Sequence, residues 1–407
     1  MPETFAPTPG AAQARIAAVR PAAYARTRNA LDGAVSGLSP YITHGLVTLA
    51  DVLAGVATRH ALDVGHKFVF ELGWREYFRH VWWHRGQGIL CSLGEGPLPE
   101  GAYDRELPAD IRQACTGVPV VDQAVRTLYA TGMLHNHARM WLASYVVHVR
   151  KVHWRTGADW LYGHLLDGDL ASNHLSWQWV AGTGSSKPYL FNADNVARYA
   201  PAPWHSPGSV IDTSYEALDR MARQADLPPA PMLPVRDVAP AGSPPQREPV
   251  LLAAPPGELG VTAPDAAVVA GRDVWLVHPW QLGALPAGLP ADTLVLGVFV
   301  ADFHRAWPWS ERRWHFVGSR MAQLAGVCWH GDSAGVGAAL KGARSVSSID
   351  EPHLAPWLAG WAACDAAPLL FPPVHRRCDS FSQWWTRASR GLESAEDLLA
   401  INGAQAW

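Results

Sequence analysis

A proline-rich segment divides this sequence into two parts of different character and so limits what the chain can fold into. From about residue 224 to 257 the chain includes DLPPAPMLPVRDVAPAGSPPQREPV, which has few large apolar side chains. Proline removes a backbone donor and restricts φ, so this segment predicts an extended linker. We therefore expect two domains, 1–215 and 258–390, joined by a linker at 216–257 and followed by a tail at 391–407.

The part before the linker is predicted to be mainly helical. Its clearest helix is VVDQAVRTLYATG, where apolar residues recur at Val121, Ala124, Val125 and Leu128. That spacing places them on one helix face, and the glycine at position 132 is typical of a helix end.

The part after the linker alternates between strand and helix patterns. DVWLVHP, TLVLGVFVAD, GVCWHGD and ARSVSSID are short apolar or β-branched runs, whereas SERRWHFVGSRMAQL and SAGVGAALKG have helical spacing. Such alternation indicates a parallel sheet. The predicted fold class is therefore mainly α, with a smaller C-terminal α/β domain built on a Rossmann-like parallel sheet.

Composition excludes several classes of protein. The five cysteines are widely spaced and form no CxxC, which argues against a disulfide framework and a cysteine zinc site. The longest apolar run is too short to span a membrane, and no secretory signal is evident, so we expect a soluble, cytoplasmic protein.

The net charge of −3 means that any nucleic-acid binding depends on a local patch. Twenty tryptophans exceed ordinary usage, and most are expected to fill the core, although indole rings also suit stacking and electron transfer.

The segment LLDGDLASNHLSWQW contains the residues that are most informative about a functional site. Asp167 and Asp169 lie two residues apart, and carboxylates so close need a cation, a metal or hydrogen-bond donors to offset their repulsion. Arg139, in HNHARM, is the candidate cation. A purely structural role, in which Asp167 only caps the next helix, stays open at this point.

Histidine pairs raise the alternative of a metal-dependent hydrolase. His80 and His84 are four residues apart, and His135 and His137 flank an asparagine. The residues between the first pair are Val, Trp and Trp, so the general-base glutamate of a zinc protease is absent. We predict no metal site.

Five segments in order resemble the FAD-binding domain of DNA photolyases and cryptochromes. They are LSPYITHG, ELGWREYFRH, TGVPVVDQAVR, LHNHARM and DGDLASNHLSWQW, within residues 38–179. The resemblance implies a helical domain that holds FAD in a bent conformation. It assigns FAD contacts to Tyr24, Ser36, Leu38, Ser39, Arg75, Asn136, Arg139, Asp167, Asp169 and Asn173.

The resemblance also implies how the site would work. It places Asn173 opposite flavin N5, where photolyases usually have Asn, plant cryptochromes Asp and animal ones Cys. An amide brings no negative charge there, which favours the reduced, anionic flavin used in repair. Trp177 and Trp154 match two members of the family's electron-relay chain. The region expected to supply the outermost member contains no tryptophan, and Tyr103 is the only obvious substitute.

The same resemblance implies a pocket for damaged DNA. The residues that match its lining are Glu71, Trp74, Asn136, Met140 and Trp179. Trp74 and Trp179 would stack on flipped-out pyrimidines. The family's TSR loop reads Val35, Ser36 and Gly37 here, an expected DNA-binding arginine is His137, and the loop after Trp179 is short.

The implied function is blue-light-driven repair of pyrimidine dimers, with single-stranded DNA preferred because basic contacts are missing. The alternative is a cryptochrome-like light or redox sensor without repair activity. Residues 258–390 resemble the α/β antenna domain of photolyases, here placed after the flavin domain. Whether a second, antenna chromophore binds there, which dimer is the substrate and what the oligomeric state is all stay open.

Overall fold

The computed structural model describes residues 5–225 and 245–403, in which helices fill the first part and a parallel sheet fills the second. The predicted fold class, mainly α with a smaller C-terminal α/β domain, is confirmed. Within these two ranges no helix is both long and apolar enough to cross a membrane.

The helical part is a packed array of short and medium helices. These are α1 (Pro9–Ala18), α2 (Pro21–Thr27), α3 (Ser39–Thr43), α4 (Leu49–Ala57), α5 (Lys67–Arg85), α6 (Ala109–Arg112), α7 (Pro119–Thr131), α8 (Asn136–Ser144), α9 (Trp154–His164), α10 (Leu170–Ala181), α11 (Ala193–Tyr199) and α12 (Tyr215–Arg223). A π-helical turn at Tyr145–Val149 follows α8. The predicted helix at VVDQAVRTLYATG is α7, and Gly132 ends it with a φ of 70°, a left-handed conformation that favours glycine.

The second part is built on five parallel strands. The strands within the described residues are β1 (Leu251–Leu252), β2 (Asp273–Val277), β3 (Leu294–Val300), β4 (Trp309–Ser310), β5 (Val327–Gly331), β6 (Ser345–Ile349) and β7 (Ala363–Asp365). The parallel sheet has the order β5-β3-β2-β6-β7, and β1 pairs separately with β4. All four strands predicted from apolar runs are present, whereas β1, β4 and β7 are too short to give a sequence pattern.

Helices of this part cover the sheet and contact the helical domain. They are α13 (Ala266–Val269), α14 (Ala301–Ala306), α15 (Glu311–Leu324), α16 (Ser333–Leu340), α17 (Ala355–Leu358), α18 (Phe381–Ala388) and α19 (Ala395–Gly403). Ser310 caps α15, since its hydroxyl accepts from the backbone N–H of Arg313.

The predicted linker at 216–257 is wrong at both ends. Its first residues belong to α12, and its last part forms β1 and lies against the helical domain. The backbone N–H of Gln246 donates to the Gln113 carbonyl at 2.8 Å, and Glu248 accepts from the Trp160 indole at 2.9 Å. The proline-rich centre of the predicted linker, 226–244, lies outside the described residues.

The predicted tail at 391–407 is also wrong, because it contains α19 as far as residue 403. A capping box begins this helix: the backbone of Asp397 donates to the Ser394 hydroxyl, and the backbone of Ser394 donates to the Asp397 carboxylate. Leu398 is fully buried, and the backbone of Ala395 donates to the Leu62 carbonyl. The packed helix ties the end of the α/β domain to the helical domain.

The two domains share one hydrophobic core at the loop after α3. His44 is fully buried, and its two ring nitrogens lie 2.7 Å and 3.0 Å from the carbonyls of Pro279 and Leu166. Gly45 has a φ of 63°, and a Cβ there would lie 2.3 Å from the Trp280 carbonyl oxygen. His44 and Gly45, the last two residues of LSPYITHG, therefore contribute to the packing of the two domains against each other.

Candidate functional site

The Arg139–Asp167 pair lies at the centre of the candidate site. Nη2 of Arg139, on α8, lies 2.9 Å from both carboxylate oxygens of Asp167, in the loop before α10. Nε of Arg139 donates to the Leu134 carbonyl at 2.8 Å, which orients the guanidinium. The Asp167 side chain is only 4% exposed, so this arginine offsets a buried negative charge.

Arg75, on α5, brings a second cation to the same place. Its Nη1 donates to Thr43 Oγ1 at 3.4 Å, and that hydroxyl donates to the Asp167 carbonyl at 3.3 Å. Burial lowers the pKa of Arg75, and the nearby carboxylates of Asp167 and Asp169 oppose that effect. Arg75 forms no ion pair with any residue in the described ranges, so its guanidinium is available to a ligand.

Asp169 connects the site to the α/β domain. One oxygen caps α10 by accepting from the backbone of Ser172 at 2.8 Å, and the other lies 3.2 Å from Arg79. Arg79 also pairs with Glu351 at 2.7 Å, and Glu351 accepts from His353. Both oxygens of Asp169 thus have protein partners, and its predicted contact with FAD stays a prediction.

Asn173, on the first turns of α10, has a defined orientation. Its Nδ2 donates to the Ala158 carbonyl on α9 at 2.8 Å, and the residue is 8% exposed. Because the amide nitrogen faces a carbonyl, Oδ1 is the atom left to accept a hydrogen bond from a ligand.

Trp177 lies against the backbone of α9, on the next turn of α10 after Asn173. A Cβ at Gly157 would be 2.3 Å from the Trp177 ring, so only glycine allows this contact. Trp154 begins the same helix three residues earlier, about one turn away. The two buried indoles predicted to relay electrons therefore both lie at the contact between α9 and α10.

Tyr103 lies near the outer end of this pair. Its ring centroid is 6.3 Å from that of His153, which is 5.6 Å from that of Trp154. Tyr103, His153 and Trp154 line a cleft of about 460 Å³. The cleft brings solvent close to the second indole.

The remaining predicted FAD residues lie on α2, in the loop before α3, at the start of α3 and at the start of α8. The Tyr24 ring packs edge-on against Phe68, with centroids 5.5 Å apart. Ser36 accepts from the backbone of Leu38 at 3.4 Å, and Ser39 begins α3. Asn136 begins α8, is exposed and contacts Met140 with an Nδ2 to Sδ distance of 3.7 Å.

The residues predicted to bind damaged DNA have unequal surroundings. Trp179 is 42% exposed at the end of α10, with its ring 5.6 Å from that of Tyr189. Trp74 stacks on Phe381 of α18, with centroids 4.1 Å apart and planes at 9°. Glu71 pairs with Lys67 at 2.9 Å. One face of Trp74 is thus already covered by a residue of the α/β domain. The sequence pattern does not predict this contact.

Two of the histidines considered for a metal site make hydrogen bonds to the backbone instead. His80 accepts from the backbone of Cys378 at 3.1 Å, and His135 caps α8. In the described parts of the chain, the one group of three closely spaced potential ligands is Glu258, Glu311 and His315, which is empty. The pairs singled out in the sequence are absent from it.

Arg313 is a site-positioning residue that the sequence pattern did not reveal. It lies on α15 of the α/β domain, is fully buried, and donates to the carbonyl of Gly168 at 2.6 Å. Its guanidinium carbon lies 4.0 Å from the Trp309 ring centroid. Arg313 therefore holds the loop between Asp167 and Asp169 from the opposite domain.

Parts of this chain are similar to known proteins. Residues 68–202 match the family model described as the FAD binding domain of DNA photolyase. A deoxyribodipyrimidine photo-lyase from Synechococcus is 33% identical over 184 residues, which cover 41% of this chain and 37% of the relative. A chloroplastic/mitochondrial cryptochrome DASH from Ostreococcus tauri is 30% identical over 246 residues, covering 56% of this chain and 45% of the relative. A solved cryptochrome structure from Synechocystis is 27% identical, covers 47% of this chain and 43% of its own, and gives a TM-score of 0.42.

Residues 68–202 thus resemble a photolyase-type FAD-binding domain, and the chain is similar to members of the photolyase/cryptochrome family. It matches less than half the length of the two relatives named above. The predicted cofactor, FAD, is confirmed by the family model.

The residues present fit this cofactor. Arg75 is half-buried and has no ion-pair partner in the described ranges, which suits an anionic or carbonyl-bearing ligand. Asn173 leaves an amide oxygen for a ligand N–H. Asp167 already has Arg139 as its partner and Asp169 has Arg79, so both buried carboxylates are offset within the protein.

Proposed function

We propose that this chain is a deoxyribodipyrimidine photo-lyase, a carbon–carbon lyase that repairs pyrimidine dimers in DNA under blue light. FAD, when bound in its reduced form, supplies the light-driven electron for bond splitting. The chain's residues bind and orient the cofactor, relay electrons to it and hold the damaged bases. Arg75, Arg139 and Asn173 serve the first task, Trp177 and Trp154 the second.

The observation that carries this proposal is the orientation of Asn173. Its Nδ2 donates to the Ala158 carbonyl, which leaves Oδ1 as a neutral acceptor for the ligand. A carboxylate at this position would add a negative charge and oppose an electron-rich, reduced cofactor. The neutral amide favours repair over a sensor that rests in the oxidised form.

DNA binding is proposed to use Trp179 as the stacking surface. Its indole is exposed at the end of α10, whereas Trp74 offers only the face that Phe381 leaves free. Burial lowers the pKa of His137, whose Nδ1 lies 2.7 Å from the Asn29 carbonyl and whose ring stacks on Trp141. His137 is therefore neutral near pH 7 and adds no charge for a phosphate. Single strands, which avoid most of the cost of flipping a dimer out of a duplex, are the expected substrate.

Replacing Trp177 with phenylalanine is expected to remove most of the light-driven reduction of bound FAD by an external reductant. The indole is the nearest relay to Asn173, and phenylalanine is far harder to oxidise. Trp160→Phe is the matched control, since Trp160 is a buried indole on α9 that instead donates to Glu248. Absorbance under blue light measures the rate, after FAD retention is verified. Equal rates in both variants would show that electrons take another route.

The repair assay tests the proposed function itself. Chemically reduced, FAD-loaded protein is mixed with dimer-containing single-stranded oligonucleotide and illuminated, and dimer loss is followed by recovery of ultraviolet absorbance. We expect repair, and we expect Trp179→Ala to weaken substrate binding by roughly one to two orders of magnitude, because base stacking contributes about 1–3 kcal/mol. Trp83→Ala is the control, since Trp83 is 64% exposed on α5. Fully reduced protein that repairs neither single- nor double-stranded DNA would refute the proposal.

The stack of Trp74 on Phe381 favours a second candidate, a light or redox sensor without repair activity. It covers part of the surface that a dimer would need, and cryptochrome DASH is among the relatives. A sensor would undergo the same light-driven reduction but would repair no DNA, so the two assays together separate the candidates.

A further inference from the structure

The indole N–H of Trp154 begins a short chain of hydrogen bonds. Electron transfer through Trp154 does not by itself require such a chain. Trp154 is 3% exposed, and its Nε1 donates to the Ser92 hydroxyl at 3.0 Å. The Ser92 hydroxyl donates in turn to Oε1 of Glu100 at 2.5 Å. Glu100 is exposed at the mouth of the 460 Å³ cleft, so the chain leads from a buried indole to solvent.

The direction of these hydrogen bonds is unambiguous. An indole nitrogen can only donate, so Ser92 must accept from Trp154 and point its own proton at Glu100. Among the groups near Glu100, His153 Nε2 lies 3.7 Å from Oε1, and Arg105 lies 3.5 Å from Oε2. The hydrogen bond from Ser92, aided by His153 and Arg105, holds the pKa of the Glu100 carboxyl below its usual range. Glu100 is therefore an anion near neutral pH and can receive a proton.

Lasting electron transfer through Trp154 requires a proton acceptor near its indole nitrogen. When Trp154 gives an electron to oxidised Trp177, it becomes a radical cation whose Nε1–H is strongly acidic. While that proton stays in place, the electron can readily return. The expected outer relay position holds no tryptophan, so the inference places the oxidised state at Trp154 rather than at Tyr103.

We propose that Ser92 and Glu100 form a proton relay that converts oxidised Trp154 into its neutral radical. The Trp154 Nε1–H proton passes to Ser92 Oγ while the Ser92 hydroxyl proton passes to Glu100. The products are a neutral indolyl radical, an unchanged serine and a protonated glutamate. An external reductant, such as a thiol, then supplies one electron, and the proton returns from Glu100. This inference rests on the proposed electron route, in which Trp154 donates to Trp177.

The experiment is transient absorption on FAD-loaded protein after a blue flash. The cation and neutral radicals of tryptophan have different visible spectra, so deprotonation is followed directly. In wild type we expect the neutral radical of Trp154 to form. In Ser92→Ala and Glu100→Gln we expect the cation radical to deprotonate roughly a hundredfold more slowly, as expected when a positioned base is lost. Glu106→Gln, which changes an exposed glutamate six residues after Glu100, should match wild type.

Infrared difference spectra provide a second readout. A protonated-carboxyl band should appear in step with the neutral radical in wild type and be absent in Glu100→Gln. If wild type forms the Trp154 radical but both variants deprotonate it at the Glu106→Gln rate, the relay is wrong and the electron route stands. A tyrosyl radical replacing the Trp154 signal in wild type would also overturn the relay. If wild type and Trp154→Phe give the same transients, the electron route itself fails, and the relay fails with it.

Discussion

Replacing Asp167 with alanine is expected to release FAD and to lower the free energy of unfolding by about 3 kcal/mol. The change leaves Arg139 without its carboxylate, and breaking a buried pair by removing one partner costs about 3–5 kcal/mol. The lower end applies because the Arg139 side chain is 23% exposed. Urea unfolding monitored by circular dichroism measures the loss of stability, and flavin absorbance after desalting measures cofactor retention.

The double variant Asp167→Leu with Arg139→Met separates the two effects. It removes both charges, so much of the lost stability should return, as apolar replacement of a whole pair often shows. FAD binding should not return, because the ligand loses both groups. A single variant that retains stoichiometric FAD and wild-type stability would contradict the site described above.

Arg313→Leu is expected to have a comparably large effect from the other side of the domain interface. The substitution leaves the Gly168 carbonyl without its donor, removes the contact with the Trp309 ring and takes a positive charge from beside Asp167 and Asp169. An unpaired buried acceptor costs about 1–3 kcal/mol, and hydrogen bonds to charged groups contribute up to about 3 kcal/mol. We expect the unfolding midpoint in urea to fall by an amount equivalent to about 3 kcal/mol, with weaker FAD binding.

Arg312→Leu is the matched control, since Arg312 is the preceding residue on α15 and is exposed. It should change stability by less than about 0.5 kcal/mol, as is usual for surface positions. If the two variants unfold at the same urea concentration, Arg313 does not hold the Gly168 loop in solution.

Much of the fold was predictable because it depends on local patterns. Helix α7 follows from the spacing of its apolar residues and from Gly132, and the four longer parallel strands follow from apolar runs. The predicted linker and tail differ from the structure for physical reasons. Proline and glycine content indicates a linker, yet Glu248 and its neighbours pack on the helical domain through contacts distant in sequence. Helix α19 begins with a capping box at Ser394, a local signal that lies within the predicted tail.

The residues of the candidate site also divide into those that the sequence can predict and those that depend on contacts distant in sequence. Arg139 and Asp167 could be paired from charge arguments, because adjacent carboxylates demand a cation. Arg313 and Gly157 could not be found that way. Their roles arise from a contact between domains and from the close approach of α9 and α10. The stack of Trp74 on Phe381 likewise joins residues more than 300 positions apart, which periodicity cannot reveal.

The central claim is that the helical domain holds FAD between Arg75, Arg139, Asp167 and Asn173. The most direct measurement is the absorption spectrum and FAD content of the purified chain, before and after incubation with added FAD and desalting. The account predicts roughly one non-covalent FAD per chain, with oxidised bands near about 370 and 450 nm. It also predicts that Arg75→Met lowers this occupancy while Arg26→Met, an exposed arginine on α2, does not. A folded wild-type chain that is colourless and takes up no added FAD would contradict the account.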